Sequence, residues 1–153
     1  MTRSTGASFL AALAFVACHP SRGGTATAGS ITVTHAVIPA PASRSEASVF
    51  LVLENGSDSA AVFTGAFTPA ADSVLLHRLV GGLMQPAMPP VIPAHGYLDF
   101  VPGGYHLMME GLRRPLALGD TVTVNLRFDA ARALTVRVPV LNYTQAVSEL
   151  PLR

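Results

Sequence analysis

The chain has 153 residues, half of them hydrophobic and only 12% charged, with a formal net charge of +1. That is long enough for one domain with its own core and too apolar for a disordered chain. All ten basic residues are arginine and only Arg113 and Arg114 are adjacent, so no basic stripe exists and no nucleic-acid partner is expected.

Residues 1–18 read as an export signal. Arg3 supplies a positive start, and SFLAALAFVA is an apolar run of about ten residues, too short to span a bilayer. The run ends at FVAC, small or apolar residues directly before a lone cysteine, which resembles a bacterial lipoprotein signal. Cys18 would then carry the lipid and hold the chain at a membrane, outside the cytoplasm. Phe15 stands where such signals usually carry Leu, and an unmodified Cys18 near an ordinary cleavage site is the alternative. Because Cys18 is the only cysteine, the chain beyond it has no disulfide, no CxxC pair and no thiolate metal ligand. HPSRGGTATAGS, residues 19–30, is small and Gly-rich and reads as a flexible tether with a reach of roughly 20 Å. A single domain is expected over residues 31–145.

Strand signals then succeed one another. ITVTHAV (31–37) alternates Ile31, Val33, His35 and Val37 against Thr32, Thr34 and Ala36, which puts His35 on an apolar face as a structural residue. ASVFLVLEN (47–55) is apolar on both faces, as a central strand would be. Asn55-Gly56-Ser57-Asp58 is a turn, and AAVFTGA (60–66) returns as its partner. SVLLHRLV (73–80) and YLDFV (97–101) come next. TVTVNLRFD (121–129) turns Val122, Val124, Leu126 and Phe128 inward, and ALTVRVPV (133–140) repeats the pattern with Leu134, Val136 and Val138. Beyond Pro139 the chain is either a last strand or a loose end. No window carries a helical period over ten residues or more. Short strands punctuated by twelve prolines and thirteen glycines predict an all-β fold, an antiparallel Greek-key sandwich or barrel.

The chemistry concentrates in one window. Apart from Met1, every methionine lies between positions 84 and 109, and His77, His95 and His106 fall in or beside that stretch. Ten residues separate His77 from Met88, seventeen separate Met88 from His106, and one separates His106 from Met108. His77 can sit near a strand end and Met88 on the connection after it. The Gly103-Gly104 turn can present the next segment, in which His106 and Met108, two apart, point to the same side. Thioether sulfur is soft and selects Cu(I), and imidazole accepts copper or zinc. Two His and two Met are neutral ligands that suit a monovalent ion. Zinc would ask for Cys, His or carboxylate, and a blue-copper centre for a thiolate. Met109 reads as packing, Tyr105 as a rigid neighbour shielding the site, and His95 as a second-site ligand or an exposed turn residue.

These residues and their flanks resemble the periplasmic Cu(I) chaperones of the PCuAC family, whose motif is H-x10-M, a gap of about twenty-one, then H-x-M. His77, Met88, His106 and Met108 fall on its four ligand positions. NGSDSAAVFTGAFTPAADSVLLH and IPAHGYLDFVPGGYHLMMEGLRRPLALGDTVTVNLRF are similar to the family's flanking text, and the likeness spans residues 31–140. It implies a cupredoxin-like fold, a Cu(I) cargo, and an acceptor such as the copper centre of a cytochrome oxidase or another assembly factor. The second gap is shorter than the family's, and Arg78 stands where the family is usually acidic. Met84 could replace Met88; the x10 spacing favours Met88. No Ser–His–Asp arrangement, paired-carboxylate site or phosphate-binding glycine loop is present, so an enzyme is not expected. The alternative is an exported immunoglobulin-like module that binds a protein through an apolar methionine patch, without metal. For a copper site, affinity should fall as pH drops through roughly 6.5, where imidazole protonates.

Overall fold

The structure, a computed structural model, describes residues 23–130 and 132–151. The lipoprotein-type signal and Cys18 lie outside the described residues. In chain order the elements are β1 (Gly24–Ala28), β2 (Ile31–Pro39), β3 (Glu46–Asn55), β4 (Ala61–Phe67), β5 (Ala71–Val80), β6 (Leu83–Pro86), β7 (Val91–Ile92), β8 (Tyr97–Phe100), β9 (Tyr105–Leu112), β10 (Thr121–Phe128), β11 (Ala133–Leu141) and the helix α1 (Tyr143–Glu149).

The period-two strands fold as their sequence dictates. In β10, Val122, Val124, Leu126 and Phe128 are all buried, and in β11 so are Leu134, Val136 and Val138. The two strands pair antiparallel with Val124 opposite Val136, so both apolar sets face the same core. Burying each such side chain contributes about 1.5–3 kcal/mol, enough to fix the register of both strands.

The strands join in the order β6-β5-β9-β8-β3-β2-β11-β10-β4-β7, with β1 added to β2 and β9 also paired to β3. One buried cluster draws side chains from both halves of this order, among them Val33, Leu51 and Met109 from one and Phe63, Leu126 and Val136 from the other. The molecule is therefore the expected all-β sandwich. Its pairings are not all antiparallel, however: β2 runs parallel to β11, and β8 parallel to β9. The first of these joins the two halves.

β3 is buried on both faces for two different reasons. Ala47, Val49, Leu51 and Leu53 enter the main core, while Phe50 lies in a second cluster with Val37, Ala146 and Leu150. The last two belong to α1 and its C-terminal end. The tail is thus a strand followed by a helix. Asn142 caps the helix, its Oδ1 accepting from the Gln145 amide at 2.9 Å. Seven residues are too few to display a helical period in the sequence.

Three local expectations are corrected. Gly24–Ala28, placed in the tether, forms β1 along the edge of β2, where Thr and Ala residues can alternate between solvent and sheet. In β2 the alternation breaks at His35, which has φ of 55° and is exposed, while Ala36, Val37 and Ile38 are all buried. The pairings to β1 and β3 both slip near this point, so His35 sits on a bulge and not on the apolar face. The turn after β3 is present, but 60–66 does not return as the partner of 47–55: β4 pairs with β10 and β7, while β3 pairs with β2, β8 and β9, so the chain crosses to the other half of the sandwich. The turn is pegged by Asn55, which is fully buried. Its Nδ2 donates to the carbonyls of Ser59, Ile92 and Pro93, and its Oδ1 accepts from the amide and hydroxyl of Ser57.

Candidate metal site

β5 and β9 pair antiparallel, and His77 lies directly opposite His106. On the other side of β5, His77 lies opposite Pro86 of β6, and Leu79 opposite Met84. On β9, Met108 lies opposite Leu75 of β5 and Ser48 of β3. Side chains facing each other across strands share a face, as do those two apart along a strand. Met84, Pro86, Leu75, His77, Leu79, His106 and Met108 therefore occupy one face of this corner of the sheet. Tyr105, Leu107 and Met109 occupy the other and pack into the core.

The turn before β9 sets the histidine in place. Gly103 takes φ of 81°, the left-handed region open to glycine, and the Gly104 amide donates to the Val101 carbonyl at 3.0 Å. The Gly104 carbonyl in turn faces His106 Nδ1 at 3.3 Å. A carbonyl only accepts, so Nδ1 carries the proton and Nε2 presents a lone pair. Opposite that lone pair, at 3.4 Å, stands the sulfur of Met84. Neither atom then has a proton to give. They are two Lewis bases facing the same small space.

The two imidazoles are in edge contact, with ring centroids 5.9 Å apart and planes at 79°. His106 is only 5% exposed and also lies against the Phe50 ring. Burial pushes its pKa below the usual imidazole value. The Gly104 carbonyl pulls the other way, and nearby His77 lowers it further. The ring is thus held neutral and able to act as a ligand. His77 is half-buried, and its Nδ1 is buried without a hydrogen-bond partner. An unsatisfied buried nitrogen costs about 1–3 kcal/mol, and coordination is one way to recover that.

The donor set suits a soft ion. Among the described residues no group of three or more His, Cys, Asp or Glu comes together, so a site here needs sulfur from methionine. A nitrogen and a sulfur 3.4 Å apart can share one ion at about 2.0–2.3 Å from each, with an angle of roughly 105°. With no carboxylate in this set, a monovalent cation is the better match.

The sequence-derived residues fare differently. His77 and His106 are brought together, and Met108 stands one strand repeat from His106 on the same face, lining an open groove with Ser48, Phe50 and Tyr143. Met88, favoured by the x10 spacing, lies past the end of β6 and is 83% exposed. Met84, the weaker candidate, is the methionine in contact with His106. A signal for it was present: twenty-one residues separate Met84 from His106, the family's second gap. His95 is an exposed turn residue whose Nε2 lies 2.7 Å from Asp58, away from the pair. Tyr105 faces the core and packs near Phe100, so it does not shield the site.

Comparison with known proteins finds relatives of this fold. The LpqE-like family model matches residues 31–140. A relative from Leifsonia xyli subsp. xyli, named "Putative lipoprotein Lxx21020", is 36% identical over 99 residues, which cover 61% of this chain and 60% of that protein's length. The apo PCuAC domain of PmoF1 superposes with a TM-score of 0.69 at 19% identity, covering 77% of this chain and 98% of that domain. Apo-DR1885 of Deinococcus radiodurans is 32% identical, with a TM-score of 0.59 over 95% of this chain and 99% of that one; its Cu(I) form is 33% identical, with a TM-score of 0.60 over 71% and 76%. With its sandwich, its paired histidines and these relatives, the chain belongs to the LpqE-like family of PCuAC-type domains.

Proposed function

We propose that this protein is a copper chaperone that binds one Cu(I) through His77 and His106 with thioether sulfur from Met108 and from the 84–88 segment. The observation that carries the reading is the neutral His106 Nε2 facing a methionine sulfur at 3.4 Å, beside a second imidazole with an unsatisfied nitrogen. Copper-bound PmoF2 and Cu(I)-DR1885 among the similar structures support it. The cargo is held in a shallow site, since Met84 is 52% exposed and His77 is half-buried. An acceptor can therefore displace one ligand at a time, without redox chemistry. The acceptor we propose, as the resemblance to PCuAC chaperones implies, is the copper centre of a cytochrome oxidase or an assembly factor on the way to it. The chain works outside the cytoplasm, held to a membrane by lipid on Cys18. The test is an anaerobic Cu(I) competition titration of the chain from residue 19, beside His77→Gln/His106→Gln. One tight Cu(I) per chain, lost in the double variant, is expected; equal binding by both would reject the site.

One observation favours a second reading, a metal-free interaction module. Leu75, Leu79, Leu83, Met84 and Met88 around the histidines are all exposed, which makes an apolar surface. Partner binding that survives the histidine changes, in a chain that takes no Cu(I), would select it.

A further inference from the structure

The strand register orders this face into rows across β6, β5 and β9. Pro86, His77 and His106 form the middle row. Met84 stands two residues before Pro86, in the row of Leu79, and its sulfur reaches His106. Met88 stands two residues after Pro86, toward the row of Leu75 and Met108. Met84 and Met88 thus come two residues before and two residues after the residue opposite His77, Met84 about 7 Å from Pro86 along β6 and Met88 just past the strand's end.

Their surroundings differ. Met84 is half covered and touches the ring nitrogen. Met88 is 83% exposed, but its backbone is not loose. The Ala87 amide donates to the Leu76 carbonyl at 2.9 Å, and the Pro90 carbonyl accepts from the Phe63 amide at 3.0 Å. Between these anchors lie only Met88 and Pro89. Proline fixes its own φ and restricts the residue before it to extended conformations. A thioether is therefore presented to solvent from an anchored backbone, two residues along the chain from the residue opposite His77.

We infer that the sulfurs of Met84 and Met88 divide the work: Met84 completes the resting site with His77, His106 and Met108, and Met88 is the hand-over ligand at the surface. This rests on the Cu(I) reading above. In the hand-over, a lone pair of the Met88 sulfur forms a bond to Cu(I) as the bond from the Met84 sulfur breaks. The ion stays monovalent, and no proton or electron moves. The bonds from His77, His106 and Met108 are kept, so that the ion is held with one exposed sulfur that an incoming ligand can displace.

The experiment uses wild type, Met84→Leu and Met88→Leu, each loaded anaerobically with Cu(I). Two readouts are taken: equilibrium affinity against a chromophoric Cu(I) chelator, and the rate at which excess chelator strips the loaded protein. Met84→Leu is expected to weaken affinity by about tenfold or more. Met88→Leu is expected to weaken affinity less than Met84→Leu does and to slow stripping severalfold. Methyl carbon spectra should show the Met84 methyl shifting with the first equivalent. Affinity lost in Met88→Leu and kept in Met84→Leu would overturn the assignment, and so would a Met88→Leu protein unchanged in both readouts. A wild type that binds no Cu(I) would instead overturn the copper reading, and this inference with it.

Discussion

Replacing His106 by leucine separates a ligand from a structural histidine. In the structure the ring makes one long hydrogen bond, 3.3 Å to the Gly104 carbonyl, and its other nitrogen faces a sulfur with no proton between them. Its pKa is lowered chiefly by burial, so the site already disfavours the charged ring. A buried leucine of similar size gives up that weak bond and gains apolar contact with Phe50 and Met84. Exchanging a net hydrogen bond of about 0.5–1.5 kcal/mol for apolar contact leaves the apo protein within about 1 kcal/mol of wild type. That is a Tm shift of no more than roughly 4 °C. Copper affinity, by contrast, loses one of two imidazoles. Since losing even an outer partner costs about 10–100-fold, losing the ligand itself should cost about 100-fold or more, near 2.7 kcal/mol. Calorimetry of the apo proteins and anaerobic Cu(I) competition measure the two effects separately. A Tm that falls by more than about twice that limit while affinity persists would show that His106 is there for packing, and the reasoning would fail.

Acid should act on the same residue. Because the folded pKa of His106 lies below its unfolded value, the unfolded chain binds more protons between the two, and stability falls as pH drops below about 6.5. Urea titrations at pH 7.5 and 5 should show this loss in wild type and a smaller one in His106→Leu, whereas proton competition for His106 Nε2 sets in only at lower pH, once the folded ring itself takes up a proton, so its effect on Cu(I) affinity starts below the roughly 6.5 read from the sequence. Far from the site, Asn55→Ala leaves three carbonyls without their donor at a buried turn. A cost of at least about 2 kcal/mol is expected in the midpoint of urea unfolding, with Cu(I) stoichiometry unchanged.

The alternation of apolar residues in β10 and β11, the double-sided apolarity of β3 and the glycine turn before His106 were legible in the sequence because each depends on neighbours within a few residues. Composition and the spacing of His77, His106 and the methionines pointed to sulfur–nitrogen chemistry for the same reason: the residue types themselves restrict the ion. The bulge at His35 was hidden, because a slip in register depends on the strands at either side. So were the pairing of β1 to β2, the parallel join of β2 to β11, and the short helix that covers Phe50. Choosing between Met84 and Met88 was also beyond a linear reading. Both spacings suit the motif in part, ten residues from His77 for one and twenty-one to His106 for the other. Only the β5–β6 register, with Pro86 opposite His77 and Met84 opposite Leu79, brings the Met84 sulfur against the ring of His106.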